Sequence, residues 1–158
     1  MFDRAEAGEQ LVDDLSDSLE AVDAALAGAG DLPLVLFLLS VGRGAPLAAG
    51  ADTSAEAVIE LAGGRNALTG FDDYKPASTE AIAASGAEFV LITERTAKLL
   101  GGVEKLLARP EIAATPAGRD GNVIVMDDLL LLGFGPRLGE AVTRLAAQLH
   151  GLDTSAVR

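Results

Sequence analysis

The 158 residues contain no cysteine and no tryptophan, a single histidine, a single tyrosine and only five phenylalanines. Without cysteine there are no disulfides, no thiolate metal sites and no cysteine nucleophile, and the absence fits an oxidising or a reducing compartment equally. Basic residues are scarce too. Twelve Lys and Arg face 24 Asp and Glu, a net charge of -12. No Lys/Arg cluster is present to neutralise phosphates, which disfavours nucleic acid as a partner. The acids are dispersed and form a solvated surface that aids solubility. Long apolar runs are also missing. Leu32 to Leu39 is strand-sized and broken by Pro33, well short of the roughly 20 residues that span a bilayer. The amino terminus, MFDRAEAGEQLVDDLSDSLE, has neither a basic n-region nor an apolar h-region, so the expectation is a chain without a signal peptide.

What is present is the composition of a globular domain, 49% hydrophobic and 23% charged. The length suits one compact domain with a real core. Residues 5 to 27 read as a helix, because Leu11, Leu15, Leu19, Val22 and Leu26 make one apolar stripe opposite a face of acids. LPLVLFLLS reads as a strand buried on both faces. Thr53 or Ser54 can cap the next helix, AEAVIELAGG, which stops at Gly63-Gly64. NALTG is a short extra strand, and GFDDYKPAS a loop. STEAIAASG is a short helix with Ser78 as its N-cap. AEFVLITE is a second buried strand, KLLGGVEKLLARPEI a broken helix ended near Pro110, and GNVIVMDD a third strand. The closing helix starts at Pro136 and ends at Gly151. Strands alternating with helices predict an α/β fold of three layers, with a mostly parallel sheet of about four strands covered on both faces.

Each chemical motif has an ordinary reading beside the functional one. GRGAPL, residues 42 to 47, follows a strand, but Leu47 stands where a dinucleotide fingerprint requires Gly or Ala, and no phosphate-loop pattern occurs. His150 falls in the last turn of the last helix, where it favours the helix's negative end, and no G-x-S-x-G elbow accompanies it. Asp127 and Asp128 can hold a metal or cap the segment after the third strand, and without a nearby histidine capping is the stronger reading. Tyr74 is either a half-buried aromatic with a wet hydroxyl or a group presented to a ligand at the strands' carboxyl ends. Arg43 is either solvated or the partner of a carboxylate.

Three blocks go further: AGADTSAEAVIELAGG, YKPASTEAI and TPAGRDGNVIVMDDLLLLGFGPRL. Over about residues 5 to 150 the sequence resembles the carboxyl-terminal lobe of haem (hemin) ABC-transporter substrate-binding proteins, within a class that includes cobalamin and siderophore binders. The resemblance implies a two-lobe protein whose lobes are joined by one long helix, with haem in the cleft between them. Residues 1–28 then correspond to the carboxyl-terminal part of that connector, residues 29–158 to the carboxyl-terminal lobe, and the amino-terminal lobe and signal peptide lie outside the chain. It also implies roles. The cleft loop after the lobe's first strand faces the porphyrin, which places Gly42, Arg43, Gly44 and Ala45 at the ligand, the small residues allowing close approach and Arg43 meeting propionates. Tyr74 becomes a second iron ligand or a stacking wall. Glu80, opening the STEAI helix, matches a surface glutamate that docks on arginines of the membrane permease, while a first-turn acid is also favoured by the helix dipole.

On this reading haem is the transported ligand and not a catalytic cofactor, the protein is not an enzyme, and the full-length protein is periplasmic or a cell-surface lipoprotein. Self-association through the face left bare by the other lobe, including Leu129 to Phe134, is expected. A cobalamin or ferric-siderophore binder, a small cytosolic α/β enzyme using Asp127, Asp128 and Tyr74, and a purely dimerising lobe are the competing readings.

Overall fold

A computed structural model describes residues 2–28, 30–132 and 137–152. Helix α1 (Phe2–Leu26) leads into β1 (Leu34–Ser40), β2 (Leu47–Ala49), α2 (Ser54–Leu61), β3 (Arg65–Asn66), β4 (Tyr74–Pro76) and α3 (Thr79–Ala83). Then come β5 (Phe89–Thr93) and four short helices, α4 (Glu94–Leu100), α5 (Val103–Leu107), α6 (Pro110–Ala113) and α7 (Pro116–Asp120). The order closes with β6 (Val123–Met126), α8 (Asp128–Leu132) and α9 (Leu138–His150). The expected starting point of the closing helix, Pro136, lies outside the described residues, as do Gly133 and Phe134 of the apolar run and residues 153–158 of the expected lobe.

β1 occupies the middle of the sheet because its run of large apolar residues suits burial on both faces. Val35 and Phe37 face one layer of core; Leu36 and Leu38 face the other. All four are fully buried. β3, β5 and β6 run parallel to this direction, with Leu36 opposite Val90 and Val90 opposite Val123. One face carries α1, α2, α8 and α9; the other is covered by α3, α5, α6 and α7. The sequence pattern for three layers and a mostly parallel sheet is therefore realised, and the α/β architecture stands.

The sheet is nonetheless larger than about four strands. β2 turns back antiparallel to β1, and β4 lies antiparallel to β2, giving the order β4-β2-β1-β5-β6 with β3 beside β1. Each of the two added strands has three residues, too few for a period of two to stand out. Gly42 to Pro46 is thus a strand-to-strand loop and not a strand-to-helix turn, which removes the geometric basis of the dinucleotide reading. The broken helix resolves into α4, α5 and α6, interrupted at the left-handed Gly101 and at Pro110.

Caps account for several boundaries. Thr53 and Ser78 accept hydrogen bonds from the Glu56 and Ala81 amides, as their sequence positions suggest. Thr93 caps α4 and Thr115 caps α7 in the same way. Gly151 ends α9 in the left-handed region. His150, expected to serve its own helix end, lies with Nε2 3.0 Å from the Gly63 carbonyl oxygen just past α2. It links the ends of two helices.

α1 lies along α9, and Gly139 makes the close approach possible, since a Cβ there would meet Ser18 Oγ at 2.9 Å. Leu15, Leu19, Val22 and Leu26 supply its buried stripe; the side chain of Leu11 lies outside the described residues. On the outer side of α9, Glu140 accepts from Arg137 Nε at 2.9 Å and pairs with Arg144 Nη2 at 2.6 Å. The Arg137 hydrogen bond holds the Glu140 carboxyl below its ordinary range; burial opposes it, and the charges of Arg144 and Arg137 add to the lowering. A folded-state value below the unfolded one means that the contribution is complete above the ordinary glutamate pKa of about 4.3 and drains away as pH falls through the lower folded value. Urea midpoints of wild type and Glu140→Gln should therefore differ slightly at pH 7 and converge as the pH falls below the ordinary glutamate range. A gap that widens on acidification would contradict the pairing.

Candidate functional site

β1, β5 and β6 are parallel, so their carboxyl ends meet at one edge of the sheet, the edge where open α/β sheets bind ligands. A cavity of 510 Å³ lies there. Its walls are Leu39, Ser40 and Leu47 from the ends of β1 and β2, Thr93 at the end of β5, Arg95, Thr96 and Leu99 from α4, and Asp128, Leu129 and Leu132 from α8. A second hollow of 550 Å³ shares Arg95, Leu99, Asp128 and Leu129 with it and adds Glu94, Lys98 and Asp127. Together they form one open trough. Leu99 is 75% exposed and Leu129 81%, two large apolar side chains left in water on facing helices. Isolated exposed leucines need no explanation, but two flanking the same apolar hollow do.

The trough is held by bonds from residues at the strand ends. Thr96 Oγ1 donates to the Leu39 carbonyl at 2.7 Å, tying α4 to β1. Asp128 Oδ2 accepts from the Arg95 amide at 3.2 Å, tying α8 to α4. Asp127 Oδ1 accepts from the Leu130 amide at 2.9 Å and caps α8. Capping, the stronger of the two sequence readings for these acids, is what the structure displays. Among the described residues no three His, Asp or Glu side chains converge as a metal site.

The sequence-derived loop borders this trough at its rim. Val41 and Pro46 are buried at the loop's base, whereas Gly42, Arg43, Gly44 and Ala45 are all exposed. A Cβ at Gly42 or Gly44 would meet nothing within 4 Å. Packing inside the fold therefore gives no reason for glycine at either position. Arg109 Nη1 donates to the Gly42 carbonyl at 3.1 Å, and its Nε donates to Glu111 at 2.6 Å. Arg95 lines the trough, and Arg43 is an exposed cation on the loop between Ser40 and Leu47, which line it too.

Tyr74 stands elsewhere. It pairs with Ala49 in the β2–β4 ladder, while Pro76 is the β4 residue level with Leu47 at the trough. Its half-buried ring meets Phe37 edge to face, centroids 6.2 Å apart, and its hydroxyl lies 3.3 Å from Ser54 Oγ. Glu80 is exposed in the first turn of α3. Arg95, Thr93 and Leu99 line the trough and were missed by the sequence reading, which placed Leu129 only on the face left bare by the other lobe. The signal was available, since the carboxyl-end rule applies to β5 and β6 as well as to β1.

A family model described as periplasmic binding protein matches residues 1–130. No curated protein matches. Among solved structures, the periplasmic heme-binding protein BhuT in complex with two hemes is 43% identical, at a TM-score of 0.84, with 97% of this chain and 57% of that one covered. The periplasmic heme-binding protein RhuT from Roseiflexus sp. RS-1 in apo form is 34% identical, with the same coverage and TM-score. The periplasmic heme-binding protein HutB of Vibrio cholerae is 32% identical at a TM-score of 0.73, with 83% of this chain and 52% of that one covered. The chain spans little more than half the length of these structures.

Proposed function

Because the chain belongs to the periplasmic binding protein family, we propose that it is the carboxyl-terminal ligand-holding lobe of a haem-binding protein that delivers its cargo to an ABC importer and performs no chemistry on it. One observation carries the reading. The trough is apolar, floored by strand ends, flanked by the exposed Leu99 and Leu129 and lined by the cation Arg95, with Arg43 exposed on the loop that joins its wall residues Ser40 and Leu47. A flat apolar macrocycle with carboxylate arms has that chemistry, its face resting on leucine and its carboxylates on guanidinium. The glycines at 42 and 44, unexplained by packing, fit a ligand lying close over the loop backbone.

The other roles follow on the same reading. Residues 1–28 are the end of an interlobe connector, and residues 29–158 the lobe proper. A second lobe covers the trough from above. Glu80 is the docking residue for the permease, set on an α3 held by the Ser78 cap. Tyr74 acts through the Phe37 layer and not as a ligand on the trough wall, since its register sets it back from the strand ends. The working location is the periplasm or the cell surface.

Hemin titration followed at the Soret band tests this. Saturation near one equivalent is expected, and Arg43→Ala or Arg95→Ala should each weaken binding about tenfold, the worth of one charge-assisted hydrogen bond. Gly44→Leu should leave the thermal midpoint in place and weaken hemin. An unchanged Soret band, both for this chain and for a protein that also carries the second lobe, would remove haem and bring cobalamin and ferric siderophores forward.

A further inference from the structure

Gly42 to Ala45, the stretch proposed to meet the ligand, is exposed and contains two glycines, a composition that does not hold one shape unaided. Arg109 reaches it from the start of α6. The Nη1–H of Arg109 donates to the Gly42 carbonyl, and its Nε–H to Glu111 Oε1. Glu111 is 6% exposed and Arg109 25%. A carboxylate so buried keeps its cation close, because separation would strand a charge away from water. The guanidinium is planar and rigid, so fixing Nε on Glu111 also aims the remaining N–H groups. The one on Nη1 meets the loop at the Gly42 carbonyl.

We propose that Arg109, locked by Glu111, is a positioning residue for the ligand site, setting where Gly42 and hence Arg43 stand without touching the ligand itself. The inference rests on the reading that this loop meets the ligand. It explains why the device is an arginine. A lysine ammonium serves Glu111 as a charge but offers no planar fork to hold both partners at once.

The test compares wild type, Arg109→Lys and Glu111→Gln by backbone NMR order parameters and by hemin titration. In Arg109→Lys the order parameters of Gly42 to Ala45 should fall while those of Leu36, Leu91 and Ile124 stay unchanged. A loop ordered about a tenth of the time raises the apparent hemin Kd about tenfold. Arg43→Ala should cost clearly less affinity in the Arg109→Lys background than alone, because the two act on one geometry. Glu111→Gln, which leaves the guanidinium unanchored, should repeat the pattern and covers the case in which Arg109→Lys fails to fold. Unchanged loop order with unchanged hemin affinity overturns the proposal, and so does a loss of order spread evenly over the core. Wild type that takes up no hemin, alone or joined to the second lobe, with order lost at the loop alone in the variants, upholds the positioning role and overturns the haem reading.

Discussion

Phe37→Ala is expected to destabilise the fold by about 4 kcal/mol, within the range for removing a buried phenylalanine and leaving its cavity. Phe37 has no solvent exposure and sits on β1, with β2 on one side and β5 on the other. Its neighbours on that face come from α2, β5 and β6. They belong to different elements, so they cannot all collapse into the hole. The edge-to-face contact with Tyr74 is lost as well, an interaction worth about 1 kcal/mol beyond area burial. Against a typical net stability of about 5–15 kcal/mol, the variant is left marginal. Urea unfolding measures this, and the sequence supplies the probe. With no tryptophan and one tyrosine, ultraviolet tyrosine fluorescence reports the surroundings of Tyr74, and the signal in the native baseline should change along with the midpoint. A loss under about 1.5 kcal/mol, the scale of a volume-conserving swap, would mean that the ring is not part of the central layer.

Gly118→Ala is expected to cost about 3 kcal/mol, the upper part of the range for overpacking. A Cβ at Gly118 would overlap the Ile112 carbonyl oxygen and come within 2.8 Å of the Ala113 Cα. That carbonyl is already fixed, because it accepts from the Thr115 amide at 2.9 Å and from Thr115 Oγ1 at 2.6 Å. Backbone cannot rotate away as a side-chain tip would, so α6 and α7 must separate. Gly121 offers the control. It is left-handed, at φ 72°, with nothing within 4 Å of its would-be Cβ. Gly121→Ala should cost only about 1–2 kcal/mol, the penalty for a left-handed alanine. Thermal or urea midpoints of the two variants separate steric overlap from backbone conformation. Equal losses would contradict the close packing of α7 on α6. Because α6 begins beside Arg109, movement there should also loosen the loop at Gly42.

The parts of this structure that showed in the sequence are those where one physical pattern dominates. The stripe of α1, the doubly buried runs of β1 and β5, and the caps at Thr53 and Ser78 each follow from spacing or from one local hydrogen bond. The resemblance carried by the three sequence blocks agrees with the family match. β2 and β4 were not legible, because three residues of Leu, Ala, Tyr, Lys and Pro carry no periodicity and pair only through contacts distant in the chain. Half of the site was hidden for a related reason. Leu129 to Leu132 reads as an undirected apolar run, and only the capped turn of α8 leaves Leu129 in water while burying Leu130 and Leu131. Arg95 disappeared between a strand read through Glu94 and a helix started at Lys98, whereas Thr93 already caps the helix that carries it. The Arg109–Glu111 pair was invisible because its target, Gly42, is 67 positions away.

The pairing of α1 with α9 brings the first described helix against the last. During synthesis Leu15, Leu19 and Val22 therefore emerge long before the surface that covers them. β1 and β2 can meet as soon as the loop at Gly42 is made, but the first helix stays without its partner until Gly139 and its neighbours have left the ribosome. Closing so long a loop adds little to the equilibrium cost, which grows only with the logarithm of length. Time is another matter, since distant contacts slow the search for the native state. The newborn chain passes through an interval with that helix's apolar stripe uncovered, and the acids on its opposite face keep such chains apart until the last helix arrives.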